Sequence, residues 1–255
     1  KKLKKEICEL VENCLTKKFC KKPKQSKKPF HFALIDKKRM KMYSRIHSIN
    51  TSIGQSVFEQ IAELVAKSNS DFTTVRRQYP VGDKIYNACR TEIDDIVYEI
   101  KTTVPDKVTV PDKVNEIMRI KNKLNGEKQK ITPAKVDLFL TNTNGTQFLF
   151  DLKTATPNKG DWGEFKHTLL EWAAVVLTSD ANATVNTLIA IPYNPYAPKP
   201  YQPWQIDYFD VPQELKVAAD FWDFLGGKGT YTGLLDCFKK VGIDLKRKID
   251  RYIDG

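Results

Sequence analysis

Three observations predict an α/β fold with a central mixed β-sheet, flanked by helices and carrying additional helices at both ends of the chain. Apolar residues recur at helical spacing near the start, in the middle and at the end of the 255 residues. Between positions 135 and 153 that period drops to two, the mark of half-buried strands. No linker of convincing length divides the chain, so 1–255 reads as a single domain: a basic helical arm over 1–45, a core over 46–195 and a helical part over 196–255. A composition of 41% hydrophobic and 11% aromatic residues supports a real core and excludes a disordered tail.

In chain order, Leu3, Ile7, Leu10, Val11, Cys14 and Leu15 predict an amphipathic helix over 2–20. Cys8, Cys14 and Cys20 stand six apart on it, without the close pairing a zinc site needs, and are expected to be packing residues. The lysine- and proline-bearing stretch 21–29 connects it to a second helix over about 39–67, with a break near Asn50-Thr51 and Val57, Phe58, Ile61, Ala62, Leu64 and Val65 on its buried face. Ile85, Cys89, Ile93, Ile96, Val97 and Ile100 predict a helix over 82–101. The tandem pentamer Val104-Pro105-Asp106-Lys107-Val108 and Val110-Pro111-Asp112-Lys113-Val114 is too short for a solenoid and reads as a surface loop. Val136–Leu140 and Gln147–Lys153 are strands joined by the turn Asn142-Thr143-Asn144-Gly145, which makes a β-hairpin. A helix over 163–178 follows, then strands at Thr187–Tyr193 and Ile206–Val211, then helices near 212–225, 231–241 and 244–253.

The longest apolar run, Leu169–Leu177, is shorter than the ~20 residues of a membrane span and is interrupted by Glu171, so no membrane segment is expected. Five cysteines at wide spacing, and a lysine-rich start lacking an apolar stretch, point to a reducing, cytoplasmic setting. The absent initiator methionine suggests numbering from within a longer reading frame or after processing. Of the net charge of +11, residues 1–45 carry +12 and the remainder −1, so the positive field belongs to the arm. Such an arm can neutralise nucleic-acid phosphates, or it can be a solvated lysine-rich face.

The hairpin places Asp137 on its first strand and Asp151 and Lys153 on its second. Strand alternation puts Asp151 and Lys153 on one face and Leu152 on the other. Two carboxylates and an ammonium that converge supply hard oxygen ligands for Mg²⁺, with Asp137 and Asp151 as ligands, and a cation near an attacking water: the requirements of phosphodiester hydrolysis. A competing string, Asp94, Asp95, Glu99 and Lys101, falls in a helical stretch. There, residues two apart point about 200° from one another, so Glu99 and Lys101 diverge and the string reads as a charged helix face.

The arrangement Pro133-x₃-Asp137-x₁₃-Asp151-x-Lys153 resembles the PD-(D/E)XK nuclease signature in its D-x-K form, with Pro133 four residues before the aspartate rather than beside it. With Lys153–Gly160, Glu164-Phe165-Lys166, Leu170-Glu171-Trp172 and the segment Ser48–Gln60, most of the chain is similar to the TdeIII-type family of type II restriction endonucleases. That resemblance implies a restriction-endonuclease-like core. It also implies a homodimeric Mg²⁺-dependent enzyme that cuts double-stranded DNA at a short palindrome of the GGNCC type. By analogy with nucleases of that superfamily, Glu59 is a further catalytic carboxylate or else a solvated residue beside Glu63.

Lys159, Lys166, Arg76 and Arg77 are candidate DNA contacts, as is the cluster Lys37-Lys38-Arg39, with solvated surface as the alternative for each. His167 has no nucleophile near it in sequence, and His31 and His47 are the other histidines, which argues against a histidine–metal nuclease. Asp71–Arg77 and Asn194–Gln205 are the candidate base-reading segments. Another nuclease on the same core, such as a resolvase or repair enzyme, or a DNA-binding protein without activity, are the competing functions. Carboxylates facing DNA repel it unless a cation intervenes, which disfavours the binding protein.

Overall fold

The computed structural model describes residues 2–20, 29–102, 110–133, 135–153, 162–202 and 206–254. The chain runs through α1 (Lys2–Phe19), α2 (Pro29–Leu34) and α3 (Lys37–Ser52), then one π-helical turn (Ile53–Val57) into α4 (Phe58–Lys67). Strands β1 (Phe72–Pro80) and β2 (Lys84–Tyr86) precede α5 (Asn87–Lys101) and α6 (Lys113–Lys121). Next come β3 (Lys128–Lys130), β4 (Lys135–Asn142), β5 (Gln147–Leu152), α7 (Trp162–Ser179) and β6 (Val185–Ile191). A 3₁₀ turn (Ile206–Tyr208), α8 (Val211–Glu214), β7 (Leu215–Val217), α9 (Ala219–Gly226), α10 (Thr230–Asp244) and α11 (Lys246–Asp254) complete it.

Five strands form one mixed sheet in the order β1-β4-β5-β6-β7, antiparallel across β1, β4 and β5 and parallel across β5, β6 and β7. The predicted hairpin is β4–β5, in register at Leu138↔Phe150 and Leu140↔Phe148. Asn142 closes its turn, its Oδ1 accepting from the amides of Asn144 (3.0 Å) and Thr146 (2.8 Å), and Gly145 supplies the left-handed φ of 80°. Because side chains alternate, Leu138, Leu140, Phe150, Leu188 and Ala190 pack against α1, α4, α9 and α10, and Phe139, Leu149, Ile189 and Ile191 pack against α5 and α7. Helices therefore cover both faces, as the predicted α/β class requires. α7 lies between the sheet and α5 and α6, and so buries 12 of its 18 residues on all sides.

Several elements differ from expectation. The break in the helix over 39–67 is the π turn after Ser52, not an interruption at Asn50-Thr51. The first turn predicted for 82–101 is strand β2, paired with β3, and the helix begins at Asn87. Ile206–Val211 is no strand: a 3₁₀ turn stands at Ile206–Tyr208 and α8 begins at Val211, with Pro212 in its first turn, where a missing N–H costs no helical hydrogen bond. The helix near 212–225 is consequently split by β7, which turns into α9 at Ala218 (φ 50°). The first copy of the pentamer lies outside the described residues. The second is no surface loop, since Asp112 caps α6 by accepting from the Asn115 amide at 3.0 Å and Lys113 is buried.

Cys8 is corrected as well. α1 packs on α10 so closely that Cys8 and Cys237 are joined in a disulfide with Cα atoms 5.6 Å apart, while Cys14, Cys20 and Cys89 are free. Among the described residues no helix is long and apolar enough to cross a membrane.

Candidate active site

Regular pairing of β4 with β5 runs as far as Leu138 and Phe150. Beyond it the Leu152 N–H donates to Asp137 Oδ2 at 2.8 Å, while the Lys153 N–H donates to the Ala190 carbonyl at 3.0 Å and keeps β5 attached to β6. The Asp137 side chain thus stands where the two strands part. Leu152 packs with the α4–α9 side of the core, and Asp151 and Lys153 turn to the opposite face, where Lys153 Nζ lies 4.4 Å from the ring centroid of Phe165 on α7.

Lys153 Nζ is 2.8 Å from Asp151 Oδ2. Asp151 is 6% exposed, and burial pushes its carboxyl up to about 6 against the pull of the Lys153 ammonium, with the neighbouring Asp137 carboxylate adding to the rise. Glu59 stands in the first turn of α4, just past the π turn, a helical irregularity frequent at functional sites. It is almost fully buried; burial raises its carboxyl, a hydrogen bond from Gln78 lowers it, and Asp137 raises it again. Gln78 Nε2 donates to Glu59 Oε2 at 2.9 Å and to Asp137 Oδ1 at 3.0 Å. Four predicted residues, Asp137, Asp151, Lys153 and Glu59, are therefore gathered at one end of the hairpin.

A buried carboxyl raised from near 3.8 to about 6 costs stability when ionised. The fold's preference for the neutral acid is fully present below pH ~4 and is lost as pH rises through 6. Asp151→Asn, neutral at every pH, is therefore expected to melt higher than the parent at pH 8 without divalent cations, the gap shrinking towards pH 4. Thermal melts at the two pH values check this; a lower melting point for the variant at pH 8 contradicts it.

Among the described residues no group of three or more His, Cys, Asp or Glu side chains is arranged to enclose a metal ion. Two hard carboxylates suit Mg²⁺ nonetheless, because that ion keeps several waters and takes the rest of its oxygens from substrate phosphate. The crowding of Asp137 against Asp151 is also what a cation would relieve.

The other candidates separate. Lys166 is fully buried, with its Nζ 2.5 Å from Glu116 Oε2 and 2.7 Å from Glu214 Oε2, so the expected DNA contact is corrected to an internal ion pair. Its position on α7 points it under the sheet's neighbours α6 and α8, where water and DNA do not reach. Beside it Lys113, its ammonium pushed down to about 8 by burial, donates to the carbonyls of Thr187 (2.7 Å) and Gln213 (3.2 Å). Lys159 lies outside the described residues. Arg77 on β1 is half-buried and held by Glu63 at 3.4 Å and Glu59 at 3.9 Å, so it braces α4, whereas Arg76 is exposed. Arg39 folds back on Asp36 at 3.4 Å, and His167 sits 3.3 Å from Asp94 on the surface. The competing acidic string is on a helix as expected, with Glu99 engaged by both terminal nitrogens of Arg119 at 2.7 and 2.9 Å. Two features had no sequence signal: Gln78, whose role depends on a local backbone twist, and the buried charges around Lys166, whose partners are distant in the chain.

The family described as type II restriction endonuclease, HinfI, matches residues 1–242. A type II restriction enzyme of Herpetosiphon aurantiacus, HgiCII, is 25% identical over 229 residues, covering 89% of this chain and 81% of its own. HgiEI from the same organism is 25% identical over 237 residues, with the same coverage of both chains. The type II restriction enzyme MjaII of Methanocaldococcus jannaschii is 26% identical over 219 residues, 80% of this chain and 56% of its own.

Proposed function

Since this chain belongs to the HinfI family of type II restriction endonucleases, we propose that it hydrolyses double-stranded DNA at a short palindrome, of the GGNCC type by its resemblance to the TdeIII-type enzymes, in a Mg²⁺-dependent reaction. The observation that carries the reading is the gathering of Asp137, Asp151 and Lys153 at the parting of β4 and β5, with Lys153 Nζ 2.8 Å from Asp151.

Asp137 and Asp151 would hold the cation. When bound, Mg²⁺ supplies a Lewis acid at the scissile phosphate and its water. Lys153, braced on the Phe165 ring, orients the attacking water and faces the charge that develops on the phosphate. Attack in line with the leaving oxygen breaks the P–O3′ bond and leaves a 5′-phosphate and a 3′-hydroxyl. Glu59, linked to Asp137 through Gln78, contributes a further carboxylate. Exposed Arg76 on β1 is a phosphate contact, and the lysine-rich amino-terminal arm steers the anionic duplex.

A plasmid digest with sequencing of the ends tests this directly. Discrete bands, one repeated end sequence and ligatable 5′-phosphates are expected with Mg²⁺ or Mn²⁺, and binding without turnover with Ca²⁺. Full cutting in excess chelator refutes it.

One hairpin site among the described residues and two strands to cut imply a homodimer related by the two-fold axis of the DNA. Light scattering of the complex with a duplex site in Ca²⁺ is expected to give two chains per duplex, and one chain per duplex would replace the dimer with a sequential cutter.

A further inference from the structure

The geometry points to Gln78 as a positioning residue whose side-chain amide clamps the carboxylates of Glu59 and Asp137 together and so sets how tightly the site takes a divalent cation. This deepens the reading above and rests on Asp137 being a cation ligand.

Arg77↔Leu138 and Tyr79↔Val136 are paired on either side of Gln78, which sets it opposite Asp137. Its φ is 51°, in the left-handed region that a residue with a side chain rarely takes. A strained backbone persists where its surroundings over-determine it, and it concentrates at functional sites. Both neighbours are pinned here, Arg77 by Glu63 and Glu59 and Tyr79 by stacking on Phe139 at 4.6 Å between centroids. The aim of the Gln78 side chain is thereby held. An exposed glutamine on an edge strand with no role needs neither the twist nor two carboxylate partners.

The chemistry of the amide fits the task. One NH₂ carries two N–H bonds, and here it gives one to Glu59 on α4 and one to Asp137 on β4. Asp137's second oxygen is already fixed by the Leu152 N–H, so the clamp completes the orientation of that carboxylate. Being neutral, the amide holds two anions near each other without cancelling their charge, which stays available to a cation. A lysine in the same place would form ion pairs and compete with the metal. Groups that orient a metal's ligands commonly alter affinity or activity by roughly 10–100-fold when removed.

The test is calorimetric titration of Ca²⁺ into the full chain without DNA, for the parent, Gln78→Ala, Gln78→Gly and Gln78→Lys. Gly relieves the backbone twist and keeps the test open should Ala fold poorly. Expected is a Ca²⁺ dissociation constant raised about tenfold or more in Ala and Gly, and further in Lys, with melting curves close to the parent. In cleavage assays the Mg²⁺ concentration for half-maximal rate rises in parallel, and saturating Mg²⁺ restores most of kcat for Gly. A folded Gln78→Gly protein with parental Ca²⁺ affinity overturns the clamp. If Asp137→Ala binds Ca²⁺ as the parent does, the assignment of the ligands falls first, and the two failures are thereby told apart.

Discussion

Asp137→Ala, Asp151→Ala and Lys153→Ala are each expected to lower the rate of duplex cleavage by a factor on the order of 10³ or more, with retained folding. Removing a single well-aimed group from a developing charge typically costs about 10²–10³ in rate, and loss of a cation ligand adds to that by weakening the metal. The three side chains meet through Leu152 N–H to Asp137 and Lys153 to Asp151, so each deletion also disorders its neighbours and the effects will not multiply in double variants. The fold should survive because the hairpin is held by Leu138, Leu140, Leu149 and Phe150 in the core rather than by its polar end. Glu99→Ala is the contrasting variant. It removes the partner of Arg119 on an exposed helix face, and Arg119 keeps Glu92 at 2.6 Å, so cleavage should be unchanged. Initial rates on a plasmid, with circular dichroism for folding, decide the matter. Near-parental cutting by Asp151→Ala would sink the assignment.

Lys166→Met should unfold the protein or destabilise it by about 3–5 kcal/mol, the usual result of leaving a buried charge without its partner. Here two buried carboxylates lose the ammonium together, since Glu116 and Glu214 both face Lys166, although Glu214 keeps the Asp210 N–H at 2.9 Å. Burial already raises Glu116, and Lys166 opposes that rise. Without the ammonium, Glu116 favours its neutral form more strongly, so the variant's stability should be highest at low pH and fall as pH rises through the raised value. The loss should therefore be partly recovered as pH is lowered, and partly in Lys166→Met/Glu116→Gln, which leaves Glu214 beside the buried Lys113. Thermal melts across pH measure both effects. A folded Lys166→Met protein with parental melting and weakened DNA binding would restore the surface phosphate contact that the sequence suggested.

Arg77 and Lys166 show why such contacts are hard to assign from sequence. Both sit in polar stretches that look solvated, and a lysine's long stem allows either a surface or a buried end. What decides is whether carboxylates from elsewhere meet it, and Glu116 and Glu214 come from α6 and α8, 50 and 48 residues away. Strand β1 was hidden for a related reason. It lies at the sheet edge and carries Thr73, Thr74, Arg76, Arg77 and Gln78, so its alternation of apolar residues is faint. The second pentamer looked like a loop because it contains proline, yet Asp112 starts a helix and Lys113 enters the core.

The hairpin of Asp137, Asp151 and Lys153, its Asn–Gly turn, the helical nature of the Glu99 string and the α/β class were determined by the sequence alone. Each depends on local periodicity, on turn chemistry or on the alternation of a single strand, and these act over a few residues. The motifs also sufficed for the restriction endonuclease class, which the match to the HinfI family bears out. Only the tertiary structure decided that Glu59 joins Asp137 through a twisted Gln78, that Cys8 meets Cys237, and that Lys166 faces inward. Those outcomes depend on which distant elements pack together, and packing is set by the burial of whole faces, to which no single stretch of the chain bears witness.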